Sequence, residues 1–355
     1  MFYTLKNKPI LGLLFLYYLV TWCVFWHWRS MYLAMNTFAA NTRQKGVPIP
    51  QQVIHIIRGG IGQGISAFEY YQFALYERPL STWWLYVFDF QLPYFHTTFQ
   101  SSSISQSSQQ FISNKAVFAE RLDKAKGKPI ATIDCVNLNV DWPINDWLAQ
   151  SSRLFIKPLS GSRSIGCVSI FQGSQWTCCY LGDVYEGEEG LLKLKSLLPH
   201  GKYLVQPFLR NHPLLQKLQM TDSAMTIRII SCSNDGICEV IMANLEISNE
   251  LNQRLTLFAI NIENGQVELD DEFLKRAFCN TESGFTLPHW HGVVEAVQQA
   301  HALCRDIHTV GWDVVIEDND VVLLEGNINW ALNAMQITHS EPLLTILSKA
   351  SNRYK

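Results

Sequence analysis

The chain has 355 residues, of which 48% are hydrophobic and 17% charged, and its formal net charge is −3. That length holds two or three lobes around a substantial core, and the slight acidic excess argues against a nucleic-acid binder, which carries basic charge on one face. Nine cysteines, an odd number without a CxxC pair, read as reduced thiols of a cytosolic protein, most of them core filler.

The first distinct element is the run from Ile10 to Trp28, which contains no Asp, Glu, Lys or Arg. As a helix it just spans a bilayer core. It is apolar all round, and Trp22, Trp26 and Trp28 gather at one end as an interfacial belt does. No small-residue cleavage site follows, which argues against a removed signal peptide. Lys6, Lys8 and Arg29 flank the run almost evenly and leave its orientation open. The expectation is membrane association on the cytoplasmic face; the alternative is a helix buried in the protein or in a partner.

Residues 29–50 continue as a polar stretch ending at Pro48 and Pro50. The run 53–57 predicts a strand or a short buried helix. Glycines at 59, 60, 62 and 64 follow, but no GxGxxG can be drawn through them, which disfavours a dinucleotide site. They predict a flexible turn capping a helix that runs to about Tyr76. An aromatic, apolar stretch covers 81–90. Residues 97–110, dominated by Ser and Gln, predict a mobile loop with little to bury.

A helix over 114–126 and a strand over 129–136 come next. Strands then dominate, at 153–158, 166–171, 176–181, 203–209, 225–232, 237–243 and 256–262. Asn264-Gly265 marks a hairpin turn, and Trp290 to Arg305 has helical spacing.

Two of these segments carry chemistry. Leu154-Phe155-Ile156-Lys157-Pro158 is a strand ending in lysine, and residues 159–166 after it are small and flexible. Such a loop between strands can fold over a polyphosphate, offering backbone N–H groups, hydroxyls and Arg163 beside the fixed charge of Lys157. No Walker A sequence occurs. The second segment is the apolar hairpin of runs 312–316 and 321–324 around the turn Glu317-Asp318-Asn319-Asp320. With a three-residue loop at 318–320, counting back sets Asp313 opposite Glu325, and Asn327 projects from the same face. Two carboxylates and an amide oxygen suit Mg²⁺, which completes its shell with phosphate; acids pointing to solvent are the alternative.

Taken together, these motifs resemble those of ATP-grasp enzymes, in the same order. They are Lys-Pro followed by a Ser/Gly loop, the hinge-like Tyr203 to Leu209, the strand Thr226-Ile227-Arg228, and the closing Asp…Glu-x-Asn hairpin. Asn211-His212-Pro213, Ala224 to Arg228, and Leu287-Pro288-His289-Trp290 make the chain most similar to the sugar-transfer-associated ATP-grasp proteins, related to α-L-glutamate ligases. The resemblance covers about residues 55–345.

It implies an α+β chain with the ATP-grasp fold, two α+β lobes clasping ATP, after an N-terminal α/β region and the apolar N-terminal helix. The segments would be 1–50 for the helix and its polar continuation, 51–150 for a pre-ATP-grasp region, 151–205 for the small lobe and 206–355 for the large one.

By the resemblance, Lys157 matches the phosphate-binding lysine, and Lys115 the earlier lysine that reaches the nucleotide, or else a solvated helix residue. Ser160, Gly161, Ser162, Arg163 and Ser164 fall in the phosphate-covering loop. Gln206, Pro207, Phe208 and Leu209 form the adenine hinge, with backbone groups at 207–209 on the base. His212 belongs to a subgroup motif placed near the ribose or acceptor. Arg228 matches the arginine that stabilises the transferring phosphoryl group, or else a strand arginine in a structural ion pair. Asp313, Glu325 and Asn327 match the Mg²⁺ ligands, although the Asn327 amide could instead serve its own turn.

Two departures stand out. Arg163 and Ser164 sit where Gly and Lys are common, and residues 247–252 replace an Asp-Asn-x-x-x-Gly-Gly stretch, which leaves the acceptor pocket undefined. The implied activity is ATP- and Mg²⁺-dependent joining of a carboxylate to an amine through an acyl phosphate. An amino acid would be joined to a sugar acid or another amino acid in surface-polysaccharide or envelope synthesis. A phosphotransferase and a degenerate nucleotide-binding scaffold in a membrane complex are the alternatives.

Overall fold

A computed structural model describes Tyr17 and residues 27–99, 104–125, 127–159, 165–173, 175–218, 224–234, 236–249, 254–269 and 285–350. The expected membrane segment 10–28 lies outside these residues apart from Tyr17, His27 and Trp28, and loop residues 160–164 lie outside them entirely. Among the described residues no helix is long and apolar enough to cross a membrane. The chain forms two compact units, one of Met1–Phe99 with Ala331–Lys355 and one of Gln100–Trp330.

The first unit begins with α1 (His27–Gln44), α2 (Ile49–Gln63), α3 (Ala67–Gln72) and α4 (Leu92–Phe99). Its core gathers Ala34, Ile56, Ile65, Tyr70, Leu75, Trp83 and Phe88. The glycine cluster corrects the expectation of a turn. Gly59 and Gly60 are buried inside α2, and Gly64 at φ 73° caps its C-terminus. A Cβ at Gly59 would stand 3.0 Å from the Trp83 ring, so close packing accounts for that glycine, and the left-handed cap for Gly64.

The second unit opens with α5 (Gln106–Ser113) and α6 (Lys115–Lys124). Part of the stretch expected to be a mobile loop is therefore helical. The reasons are a cap and a distant carboxylate: Ser105 caps α5, its N–H donates to Asp306 Oδ2 at 2.6 Å, and Ser108 Oγ donates to the same carboxylate. Phe111 is buried beneath the Arg121 guanidinium, 4.9 Å from the ring centre. Asn114 caps α6.

A six-stranded sheet follows, built from β1 (Asp134–Asn137), β2 (Arg153–Pro158), β3 (Val168–Phe171), β4 (Thr177–Tyr180), β5 (Asp183–Glu186) and β6 (Lys202–Pro207) in the order β1-β6-β2-β3-β4-β5. The helices α7 (Ile144–Gln150) and α8 (Gly187–Leu197) supply Trp147 and Leu194 to one of its faces, where Leu154, Ile156, Val168, Ile170, Tyr203 and Val205 form a core. Side chains alternate along a strand, so Arg153, Phe155 and Lys157 are left on the opposite face.

Beyond the short α9 (Pro213–Gln216) lies a five-stranded sheet made of β7 (Thr226–Asn234), β8 (Ile237–Asn249), β9 (Arg254–Ala259) and the closing hairpin. A two-stranded ribbon, β10 (Gln266–Val267) with β11 (Phe285–Thr286), follows the Asn264-Gly265 turn, and α10 (Trp290–Ala302) packs on the sheet. The hairpin is β12 (Thr309–Ile316) and β13 (Val321–Asn327), in the order β13-β12-β7-β8-β9. Ile227, Ile229, Leu245, Trp312, Val314 and Leu323 turn toward α10 and the core.

A buried relay fixes the hairpin to its neighbours. Trp312 Nε1 donates to Ser231 Oγ at 2.7 Å, Ser231 Oγ lies 2.6 Å from His301 Nδ1, and His301 Nε2 lies 2.9 Å from the Ile307 carbonyl. The carbonyl only accepts, so Nε2 carries the proton and Nδ1 accepts from Ser231. Burial lowers the His301 pKa to about 4 and keeps the ring neutral.

The two sheets span Asp134–Pro207 and Thr226–Asn327. The last helices, α11 (Leu332–His339) and α12 (Leu343–Ala350), return to the first unit. There the Gln336 side chain accepts from Val87 N–H at 3.0 Å and donates to Val87 O at 2.7 Å.

Candidate active site

The free faces of the two sheets enclose a cleft of 540 Å³ lined by residues of both. That size suits a small-molecule ligand. On the first wall, cross-strand pairing arranges the lining in rows. Arg153 lies opposite Phe171, and Phe155 lies between Ser169 and Gln206. Lys157 stands at the loop end of β2, near Cys167.

Lys157 is only 8% exposed. Burial, then the nearby Lys115, pushes its ammonium down to about 8, against the opposing pull of Glu325 and Asp313. Burial thus disfavours its charged form, and an incoming anion would offset that cost. Burial also raises the Cys167 thiol, which is thereby kept protonated.

The second wall is one row of the five-stranded sheet. Glu325 pairs with Asp313, Asp313 with Arg228, and Arg228 with Asn244, across β13, β12, β7 and β8. The expected facing of Asp313 and Glu325 is present, but a different turn produces it. Ile316 pairs with Val321, one step off the expected register, and a bulge between Asp313 and Val314 restores the pairing by leaving Leu324 as the extra residue. Gly326 sits opposite Trp312, where a Cβ would come within 2.9 Å of the indole.

Charges along this row are tightly interlocked. Arg228 Nε is 2.8 Å from Asp313 Oδ1 and 3.6 Å from Glu246 Oε1, while Lys115 Nζ is 3.7 Å from Glu325 Oε2. Burial raises Asp313 to about 7; Arg228 opposes this, and Glu325 and Glu246 reinforce it. Glu246 is also raised, by burial first, with Arg228 opposing.

Although Asp313 Oδ1 touches Arg228, the contact lacks hydrogen-bond alignment, and this buried oxygen makes no hydrogen bond. Two carboxylates from neighbouring strands, one holding an unsatisfied oxygen, are a donor set that fits Mg²⁺. The Asn327 amide nitrogen lies 3.5 Å from Glu325 Oε1, which places its side chain beside them. Among the described residues no group of three or more His, Cys, Asp or Glu could hold a metal by itself. The remaining positions of such a shell would fall to Asn327, water and phosphate oxygens.

At the hinge, the backbone is partly committed. Pro207 has no N–H, and the Phe208 N–H donates to Arg153 O at 2.9 Å, which narrows the expected base-facing donor to the Leu209 N–H. Gln206 is buried, and its Oε1 makes no hydrogen bond.

The cleft thus brings together Lys115, Lys157, Gln206, Pro207, Phe208, Leu209, Asp313 and Glu325, with Arg228 directly behind Asp313. His212 is not among the lining residues. Its N–H donates to the Ile316 carbonyl at 2.8 Å and its Nδ1 accepts from Leu214 N–H at 3.2 Å, at the turn end of the hairpin. Loop residues Ser160, Gly161, Ser162, Arg163 and Ser164 lie outside the described residues. Sequence reasoning missed Glu246, Arg153 and Phe171. Period-two spacing back from Lys157 was a signal for Arg153, whereas nothing local announces Glu246.

Residues 95–352 match the sequence model of a family described as sugar-transfer associated ATP-grasp. No curated protein matches significantly. Among solved structures, the chain is similar to D-alanine–D-alanine ligase from Bacillus anthracis, at 12% identity over 73% of each chain and a TM-score of 0.41. It is similar to L-amino acid ligase from Bacillus licheniformis, at 12% identity over 67% of this chain and 45% of that one, with a TM-score of 0.38. It is also similar to the ATP-grasp ligase PsnB complexed with a phosphomimetic variant of its minimal precursor, Mg and ADP. There the identity is 13% over 66% of this chain and 54% of that one, and the TM-score is 0.36. This chain therefore spans about half of the latter two proteins. The family match takes in both sheets and every residue of the cleft, and the chain belongs to the sugar-transfer associated ATP-grasp family.

Proposed function

We propose that the protein is an ATP-dependent ligase that joins a carboxylate to an amine through an acyl phosphate. The observation that carries this reading is the opposition, across one cleft, of the buried Lys157 on one sheet and an acid–arginine row on the other. Lys157 from the first wall, and Lys115 from the start of α6 beside Glu325, would hold the phosphates of ATP. Asp313, Glu325 and Asn327 would hold Mg²⁺, which supplies charge neutralisation on the phosphate oxygens when bound. Arg228 would stabilise the charge that develops as the γ-phosphoryl group moves.

In the first step a substrate carboxylate oxygen bonds to the γ-phosphorus while the bond to the bridging oxygen breaks, and ADP departs. An amine nitrogen then bonds to the acyl carbon, phosphate leaves with its oxygen, and the amine gives up a proton. The walls exclude water that would otherwise hydrolyse the acyl phosphate.

By analogy with the family, an amino acid joined to a sugar acid or to a second amino acid in surface-polysaccharide or envelope synthesis is the substrate class proposed. Residues 10–28 are proposed to hold the enzyme at the cytoplasmic face of a membrane. Deleting residues 1–30 would then release it from membrane fractions.

Incubation with ATP, Mg²⁺ and paired pools of acids and amines tests the reaction. ADP and phosphate should appear together only when both an acid and an amine are present. ADP release with a stable phosphorylated product would instead make the protein a phosphotransferase, and nucleotide binding without turnover in any mixture would make it a scaffold.

A further inference from the structure

Arg153 stands at the opposite end of the first wall from Lys157. The two side chains lie four residues apart on the same face of β2, about 13 Å along the strand. A nucleoside triphosphate held by its phosphates at Lys157 and lying along β2 carries its base toward Arg153, past the row of Phe155 and Gln206.

Arg153 is fixed there by two aromatic rings. Its guanidinium carbon is 4.7 Å from the Phe171 ring centre and 4.4 Å from that of Phe208, and the rings tilt 54° to each other. The cation therefore rests in the wedge between them. These contacts hold the guanidinium in place, and its N–H donors all lie in one plane. Beside it the buried Gln206 Oε1 makes no hydrogen bond. This end of the cleft thus sets polar groups among phenyl rings.

We propose that Arg153 is a specificity-determining residue that recognises the base of the nucleotide, donating a charge-assisted hydrogen bond from its ring-held guanidinium to an acceptor atom on the base edge. This inference rests on the nucleotide reading of the cleft given above.

Calorimetric titration of the full chain and of Arg153→Met with ATP and with inorganic tripolyphosphate tests it. The variant should bind ATP at least about tenfold more weakly and tripolyphosphate as the parent does. Arg153→Lys, which keeps a donor but not the planar fork, should fall between the two. Equal ATP affinity in parent and Arg153→Met would overturn the proposal, as would a parallel loss of both ligands, which would mark a general charge or folding effect. A parent that binds neither ligand would overturn the nucleotide reading itself, a result distinct from the other two.

Discussion

The two walls of the cleft handle buried charge in opposite ways. The first sets Lys157 into a mostly apolar face, where burial and Lys115 drive its ammonium toward neutrality. The second packs acids around an arginine, and burial drives Asp313 toward its protonated form even with Arg228 in contact. On each wall burial disfavours the charged form of the key group, and in the proposed function a ligand of opposite charge would offset this: phosphate on one side, a divalent cation on the other. Proton traffic should run in opposite directions, with uptake at Lys157 and release from Asp313.

The largest expected effect lies on the acid wall. Glu325→Gln should lower turnover by about 10²–10³-fold while leaving the fold intact. A variant that turns over at the parent rate would remove the metal assignment. Next comes the lysine wall, where Lys157→Met should weaken nucleotide binding by about 10–100-fold. Around pH 8 it should also abolish the proton uptake that calorimetry in two buffers of different ionisation enthalpy detects in the parent.

A smaller effect concerns stability and pH. Between the ordinary carboxyl value of 3.8 and about 7, the folded chain keeps a proton on Asp313 that the unfolded chain releases. The folded state therefore loses stability as pH rises through that window. Asp313→Asn removes this dependence, so its Tm relative to the parent should climb from about pH 5 to about pH 8. A constant difference would show that Asp313 is not held in its neutral form. The smallest effect is expected for His212→Ala, which should change turnover by less than about twofold because its ring meets the Leu214 N–H and the His289 ring and does not line the cleft.

The sequence made most strands and much of the cleft legible, though not β5, because alternating burial and the order of motifs survive in one dimension. The facing of Asp313 and Glu325 was reached through an assumed three-residue loop. The fold closes the turn one step differently and inserts Leu324 as a bulge, so the correct pair emerged from compensating shifts.

Glu246 was hidden for a related reason. It reaches Arg228 only through the pairing of β7 with β8, whose register slips between Ile230 and Ser231. Arg153 was readable from its spacing to Lys157, but its meaning depends on Phe171 and Phe208, which distant strands bring to it. Residues 106–110 misled because Ser and Gln look solvent-loving. Ser105 and Ser108 in fact spend their hydrogen bonds on capping α5 and on Asp306.

The most direct measurement is ADP affinity with and without Mg²⁺ for the parent, Lys157→Met and Glu325→Gln. If the walls divide the work as described, Lys157→Met loses affinity in both conditions. Glu325→Gln matches the parent without metal and loses only the gain that Mg²⁺ brings. Parent-like binding by both variants in both conditions would contradict the assignment of a phosphate wall and a metal wall to this cleft.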